Sequence, residues 1–202
     1  MKNLNSCFEQ GVSALIPVYI NKVGDSTLLV NHKGKERIIH RKVKTVVKRL
    51  ASYYSYDIVS LHKKYGELIS QKYKIPLPLH PNLILVPFKV RKPMIKDDGS
   101  YGYINLKCIN RYLKFNNHSK IILNSGYEIP LLQSYYTTHR NILNAAFIAQ
   151  KFIQQFYGTQ DIKNSFQNNN EDMSSPATRY DIAMLKYSMG RLIQLLETIL
   201  KK

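Results

Sequence analysis

The sequence predicts an α+β fold: a mainly antiparallel sheet core with flanking helices, then a C-terminal helix after a flexible linker. Three observations carry this. Short runs rich in Val, Ile, Leu and Tyr recur between Gly, Asn, Asp and Pro punctuation up to residue 132, as strands joined by turns do. Two stretches among them and one after them repeat apolar residues at helical rather than alternating intervals. A polar stretch then sets off one last helical pattern. The 202 residues accordingly divide into a basic α+β core (1–157), an Asn-rich linker (158–175) and an amphipathic helix (176–202).

Val12 to Ile20 is apolar with Pro17 inside it, which predicts an edge or bulged strand because proline has no amide to donate. Gly24-Asp25 marks a turn. Ser26–Asn31 and Glu36–His40 read as two further strands around His32-Lys33-Gly34-Lys35. Lys42–Tyr53 has Val43, Val46, Val47 and Leu50 on one helical face. Asp57 is placed to cap a second helix carrying Ile58, Leu61, Tyr65, Leu68 and Ile69. Pro76, Pro78 and Pro81 forbid helix and force an extended approach to a strand over Asn82–Phe88.

Lys96-Asp97-Asp98-Gly99-Ser100 reads as a turn, and Tyr101–Cys108 alternates as a strand. Asn124-Ser125-Gly126 joins strands over Ser119–Leu123 and Tyr127–Leu132 as a hairpin. Ser134 caps the next helix, with Ile142, Ala145, Ala149, Phe152 and Phe156 on its face and Gly158 at its end. Ser175-Pro176 opens the last helix. There Ile182, Leu185, Met189, Leu192, Leu196 and Ile199 fall at alternating steps of 3 and 4, a heptad seam suited to self-association or to docking on the core.

Charge is the second strong signal. Lys and Arg number 30 against 13 Asp and Glu, a net +17. Residues 1–157 hold 24 basic and 8 acidic residues, and 158–202 hold 6 and 5. Self-repulsion of this size calls for an anionic partner, and nucleic acid leads because neutralising phosphates releases counterions. Lys33, Lys35, Arg37, Arg41, Lys42, Lys44, Lys48 and Arg49 place eight cations in 17 residues, opposed only by Glu36. Arg41, Lys44 and Lys48 share a helix face opposite the valines, which suits phosphate tracking. Lys89, Arg91 and Lys92 leave a strand for a loop beside Pro93, and an Arg there suits the narrow minor groove of AT-rich duplex. Arg111, Lys114, His139 and Arg140 rank behind them.

Other classes find less support. No Gly-rich phosphate loop, paired-His metal spacing or nucleophile elbow is present, so no enzyme, cofactor or metal is expected. The six histidines, His32, His40, His62, His80, His118 and His139, are scattered. Asp97-Asp98 precedes Gly in a turn, where Asp serves local backbone bonding. A metal-dependent nuclease would call for more acids beside the basic surface. Cys7 and Cys108, far apart, fit a reducing cytoplasm. No run of about 18 apolar residues reads as a membrane span, and no membrane partner is expected. Neither helix-turn-helix nor zinc finger appears.

Several local patterns in one order resemble the bacterial competence transcription factor ComK family, from about Ala14 to Phe152. Pro76-Leu77-Pro78-Leu79-His80-Pro81 before Leu83-Ile84-Leu85-Val86-Pro87 is similar to that family's proline-spaced approach to an apolar strand ending in Pro. Lys92-Pro93 stands where the family has Arg-Pro, and Tyr103-Ile104 near its aromatic-Ile pair. Ile121 to Gly126 resembles its strand ending in Asn-Gly, and Glu128-Ile129-Pro130-Leu131 with Ser134 its strand and helix start. The resemblance implies a transcription activator that binds AT-rich promoter boxes, contacts the minor groove and assembles as dimers or higher oligomers on duplex DNA. It would work with RNA polymerase in the cytoplasm at the nucleoid. Residues from 158 onward lie outside the likeness. The alternative is a nucleic-acid-binding protein without sequence preference, RNA-associated for instance.

Overall fold

A computed structural model describes residues 4–93 and 99–168, together with Ile182, Leu185 and Met189. The chain begins with α1 (Leu4–Glu9), followed by β1 (Ala14–Ile20), β2 (Gly24–Val30) and β3 (Glu36–Ile39). Next come α2 (Val43–Tyr53), α3 (Ile58–Ile69), β4 (Leu77–His80), β5 (Leu83–Lys89) and β6 (Tyr101–Asn105). A 3-10 turn (Leu106–Cys108) leads to β7 (Ile109–Phe115), β8 (His118–Leu123), β9 (Glu128–Leu131) and α4 (Tyr135–Asn168). A six-stranded sheet runs β3-β2-β1-β6-β5-β4, and a three-stranded sheet runs β7-β8-β9. Every pairing is antiparallel. The α+β class expected from the sequence is the observed one.

The helices follow from their apolar spacing. α2 buries Val43, Val46, Val47, Leu50 and Ala51 against β1 and β2. Each buried Val or Leu contributes about 1.5–3 kcal/mol, so this face rather than helix propensity holds α2. Asp57 caps α3 as expected, its carboxylate accepting from the Ser60 amide at 2.8 Å and the Ser60 hydroxyl at 2.9 Å. Those bonds hold the Asp57 carboxyl below its usual range. Gly66 marks a close approach: a Cβ there would sit 2.6 Å from the Gln71 carbonyl oxygen. The Ser134 hydroxyl accepts from the Thr137 amide at 3.1 Å and starts α4. α4 packs on α3, β4, β5, β7 and β8. β5 is buried from Leu83 to Phe88, as an unbroken apolar strand must be.

Three expectations need correction, and one strand carried none. β1 is not an edge strand throughout. It pairs with β2 along its length but with β6 only at Ala14 and Leu15. Pro17 therefore lies where the β6 side of the strand has no ladder, and its missing amide costs nothing. The strand expected over Tyr101–Cys108 stops at Asn105, whose side chain accepts from the Lys107 amide at 3.3 Å and turns the chain. β7, unmarked in the sequence reading, follows that turn. Finally, α4 does not end at Gly158 but continues to Asn168. Glycine weakens a helix by about 1 kcal/mol relative to Ala but stops it only by turning left-handed.

Ile182, Leu185 and Met189 are helical and exposed, at 46%, 63% and 54%. Leu192, Leu196 and Ile199 lie outside the described residues, as do residues 169–175 of the expected linker, whereas its first part, 158–168, belongs to α4. No disulfide joins Cys7 and Cys108, and both are buried. No described helix is long and apolar enough to cross a membrane.

Candidate nucleic-acid interface

The Lys33–Arg49 stretch forms one outward-facing strip because three local devices present it. Asn31 builds the β2–β3 turn, its side-chain oxygen accepting from the Lys33 amide at 3.0 Å and the Lys35 amide at 2.9 Å, with Gly34 at φ 76°. β3 is an edge strand with Glu36, Arg37 and Ile38 exposed. The Thr27 hydroxyl of β2 donates to the Arg41 carbonyl at 2.7 Å and pins the lead into α2. Burial of the valine face then leaves Lys44, Lys48 and Arg49 outside. All eight cations of the stretch are exposed.

Opposition to them is weak. Glu36 accepts the Tyr127 hydroxyl at 2.6 Å, so the stretch's lone acid is directed toward the β8–β9 hairpin. Burial, then the Glu36 bond, pushes the Tyr127 hydroxyl up to about 12. The amino end of α2 has no side-chain cap and no acid in its first turn. The helix dipole there adds positive potential beside Arg41 and Lys42.

Arg91, expected to reach the minor groove, is engaged within the chain. Its Nη2 pairs with Asp25 at 2.6 Å, and its Nε donates to the Gly99 carbonyl at 2.7 Å. The two side chains are only 15% and 5% exposed. The guanidinium closes the loop onto the β1–β2 hairpin and presents no free charge. Lys89 is half-buried, with its amide bonded to the Gln133 side chain and its carbonyl to the Leu132 amide. Lys92, with Pro93, is the exposed cation of this segment.

Arg111 and Arg140 are exposed but sit elsewhere, on β7 and α4. Between their neighbours lies a ring cluster. The Tyr112 hydroxyl meets His139 Nδ1 at 2.6 Å, and Tyr135 stacks on His139 with centroids 6.2 Å apart. His139 is thus a structural partner of Tyr112, and His80 likewise accepts from the Asn82 amide at 3.2 Å. Among the described residues no three His, Cys, Asp or Glu side chains gather as metal ligands. Asp97 and Asp98 lie outside the described residues.

The fold also joins what the sequence separated. Lys44 and Lys48 of α2 line a cleft with Lys74 and with Gly99 and Ser100, at the return end of the Lys92 loop. Neither Lys74 nor His62, also in this cleft, carried a sequence signal. Their placement depends on how α3 and the segment before β4 fold back. Comparison with known protein families, curated proteins and solved structures finds no match to this chain.

Proposed function

We propose that this chain is a transcription activator of the kind its resemblance to the ComK family implies, holding AT-rich duplex DNA. The Lys33–Arg49 strip grips the phosphate backbone, and Lys92-Pro93, rather than Arg91, reaches the minor groove. The protein acts in the cytoplasm at the nucleoid, as a dimer or higher oligomer, in contact with RNA polymerase. The observation that carries this reading is the strip itself: eight exposed cations on a rigid turn, strand and helix, with Glu36 tied to Tyr127. Phosphate contacts supply the bulk of such affinity and orient the protein, and base-edge contacts add preference. The exposed row Ile182, Leu185 and Met189 supports self-association of the tail.

Titration of AT-rich duplex, GC-rich duplex and RNA at several salt concentrations tests it. With about six phosphates neutralised, log affinity falls against log salt with a slope near −5, roughly a thousandfold between 50 and 200 mM. AT-rich duplex should bind tightest and distamycin should compete. A slope near zero refutes the electrostatic reading. Equal affinity for RNA and both duplexes would make the chain a general nucleic-acid-binding protein.

A further inference from the structure

We propose that the cleft between α2 and α3 is a binding site for a small organic anion with an apolar body. The cleft measures about 640 Å³, within the roughly 300–1,000 Å³ typical of small-molecule sites. Its wall is apolar where Val43, Val47 and Ile58 line it, and Tyr103 adds a largely buried ring. Cations stand around it: Lys44 and Lys48 on α2, and Lys74 from the segment before β4. An apolar lining with three cations at it matches a molecule with a hydrocarbon or aromatic body and one carboxylate, sulfonate or phosphate group.

Two further details favour a built site over a gap in packing. Lys74 holds a left-handed backbone, φ 57°, and its ammonium sits 3.9 Å from the centre of the Tyr101 ring. That stacking fixes the charge beside the cleft. Strained backbone of this kind gathers at ligand clamps. His62 also lines the cleft, and burial, reinforced by Lys74, pushes its imidazole below the usual range. At neutral pH it offers a hydrogen bond without a charge of its own. One carboxylate, Asp57, lines the cleft as well, and it is engaged by Ser60.

Lys44 and Lys48 also belong to the strip proposed to hold phosphates. The bound anion would therefore compete with DNA. Competition rests on the duplex-binding reading; occupancy of the cleft does not.

Calorimetric titration of the full chain with 2-naphthoate, 2-naphthylmethanol and acetate tests the site. Naphthoate should bind saturably at one per chain, with the neutral analogue and acetate each at least about tenfold weaker. Joint Lys44→Gln and Lys48→Gln should weaken naphthoate at least about tenfold, and Lys74→Gln severalfold. Joint Lys22→Gln and Lys63→Gln removes the same charge outside the cleft and should change binding less than about twofold. Ser52→Trp, at an exposed position on the cleft wall, should block binding with the thermal midpoint retained; if that variant unfolds, Lys74→Gln decides. Absence of saturable binding, or equal weakening by both double variants, overturns the site. Naphthoate that binds without displacing duplex overturns the competition alone. A naphthoate-free titration showing no duplex binding refutes the functional reading and leaves the cleft result standing.

Discussion

The Lys33–Arg49 strip and the Lys89–Pro93 segment look alike as strings of residues and differ as surfaces. In the strip, the apolar positions of α2 face the sheet, so the lysines between them have nowhere to go but outward. In the segment, Arg91 turns inward to an acid 66 residues earlier in the chain. The first cluster leaves its charge exposed, and the second uses its central charge to fasten a loop. A local count of cations measures potential for binding only where the acids that could neutralise them are also placed.

The largest expected effect tests the fastening. Arg91→Ala leaves Asp25 buried without its cation, and breaking such a pair costs about 3–5 kcal/mol of stability. Urea titration should show this loss, with Asp25→Asn in the same chain recovering part of it. Duplex affinity of the folded fraction should barely move. An affinity loss without a stability loss would restore Arg91 to the interface.

The strip should behave in the opposite way. Joint Arg41→Gln, Lys44→Gln and Lys48→Gln should flatten the salt slope of duplex binding by about 3, one for each phosphate contact. Stability should change by no more than about 0.5 kcal/mol, as for exposed positions generally. Unfolding by more than that would mean the strip is structural as well.

Alkaline pH bears on the clamp that disarms Glu36. Tyr65 and Tyr127 are both pushed up to about 12, Tyr65 chiefly by burial. A raised folded value means the neutral phenol is the stabilised form. Their contribution is fully present below about pH 10, the ordinary tyrosine value, and is lost as pH rises toward about 12. Circular dichroism melts across that window should show a falling midpoint, shallower for Tyr127→Phe.

At neutral pH, Tyr127→Phe removes one hydrogen bond and should cost about 1 kcal/mol. It should also weaken duplex binding slightly by freeing Glu36 among the cations. Asp57→Ala, which removes the α3 cap and a carboxylate that lines the cleft with Lys48, should lower the thermal midpoint and leave the salt slope unchanged, because Asp57 makes no phosphate contact. A changed slope there would tie α3 to the interface.

Much of the fold was legible because its causes are local. The Asp57 cap, the Asn124-Ser125-Gly126 hairpin and the valine face of α2 each depend on residues within a few positions of one another. β7 was hidden because Asn110, Arg111 and Lys114 make Ile109–Phe115 look like polar connection. Its strand character comes from pairing with β8, which no short window contains. The extension of α4 past Gly158 was missed for a different reason: one glycine is a weak stop. Composition and periodicity marked the exposed Lys33–Arg49 cations, whereas the Arg91–Asp25 pair and the cleft around Lys74 depend on contacts between distant segments.

Asn105 has a consequence for how the molecule comes apart. Its fully buried amide accepts from the Ile84 and Lys107 amides and donates to the Val12 and Asn82 carbonyls. One side chain thus ties together the lead into β1, the β4–β5 turn and the passage into the three-stranded sheet. Opening any one of these strands polar groups belonging to the others, so partial melting is penalised and the two sheets should open as a single cooperative unit. Amide exchange in β8 should then track that in β5 through a denaturant series, and Asn105→Ala should be the change that lets the two rates separate.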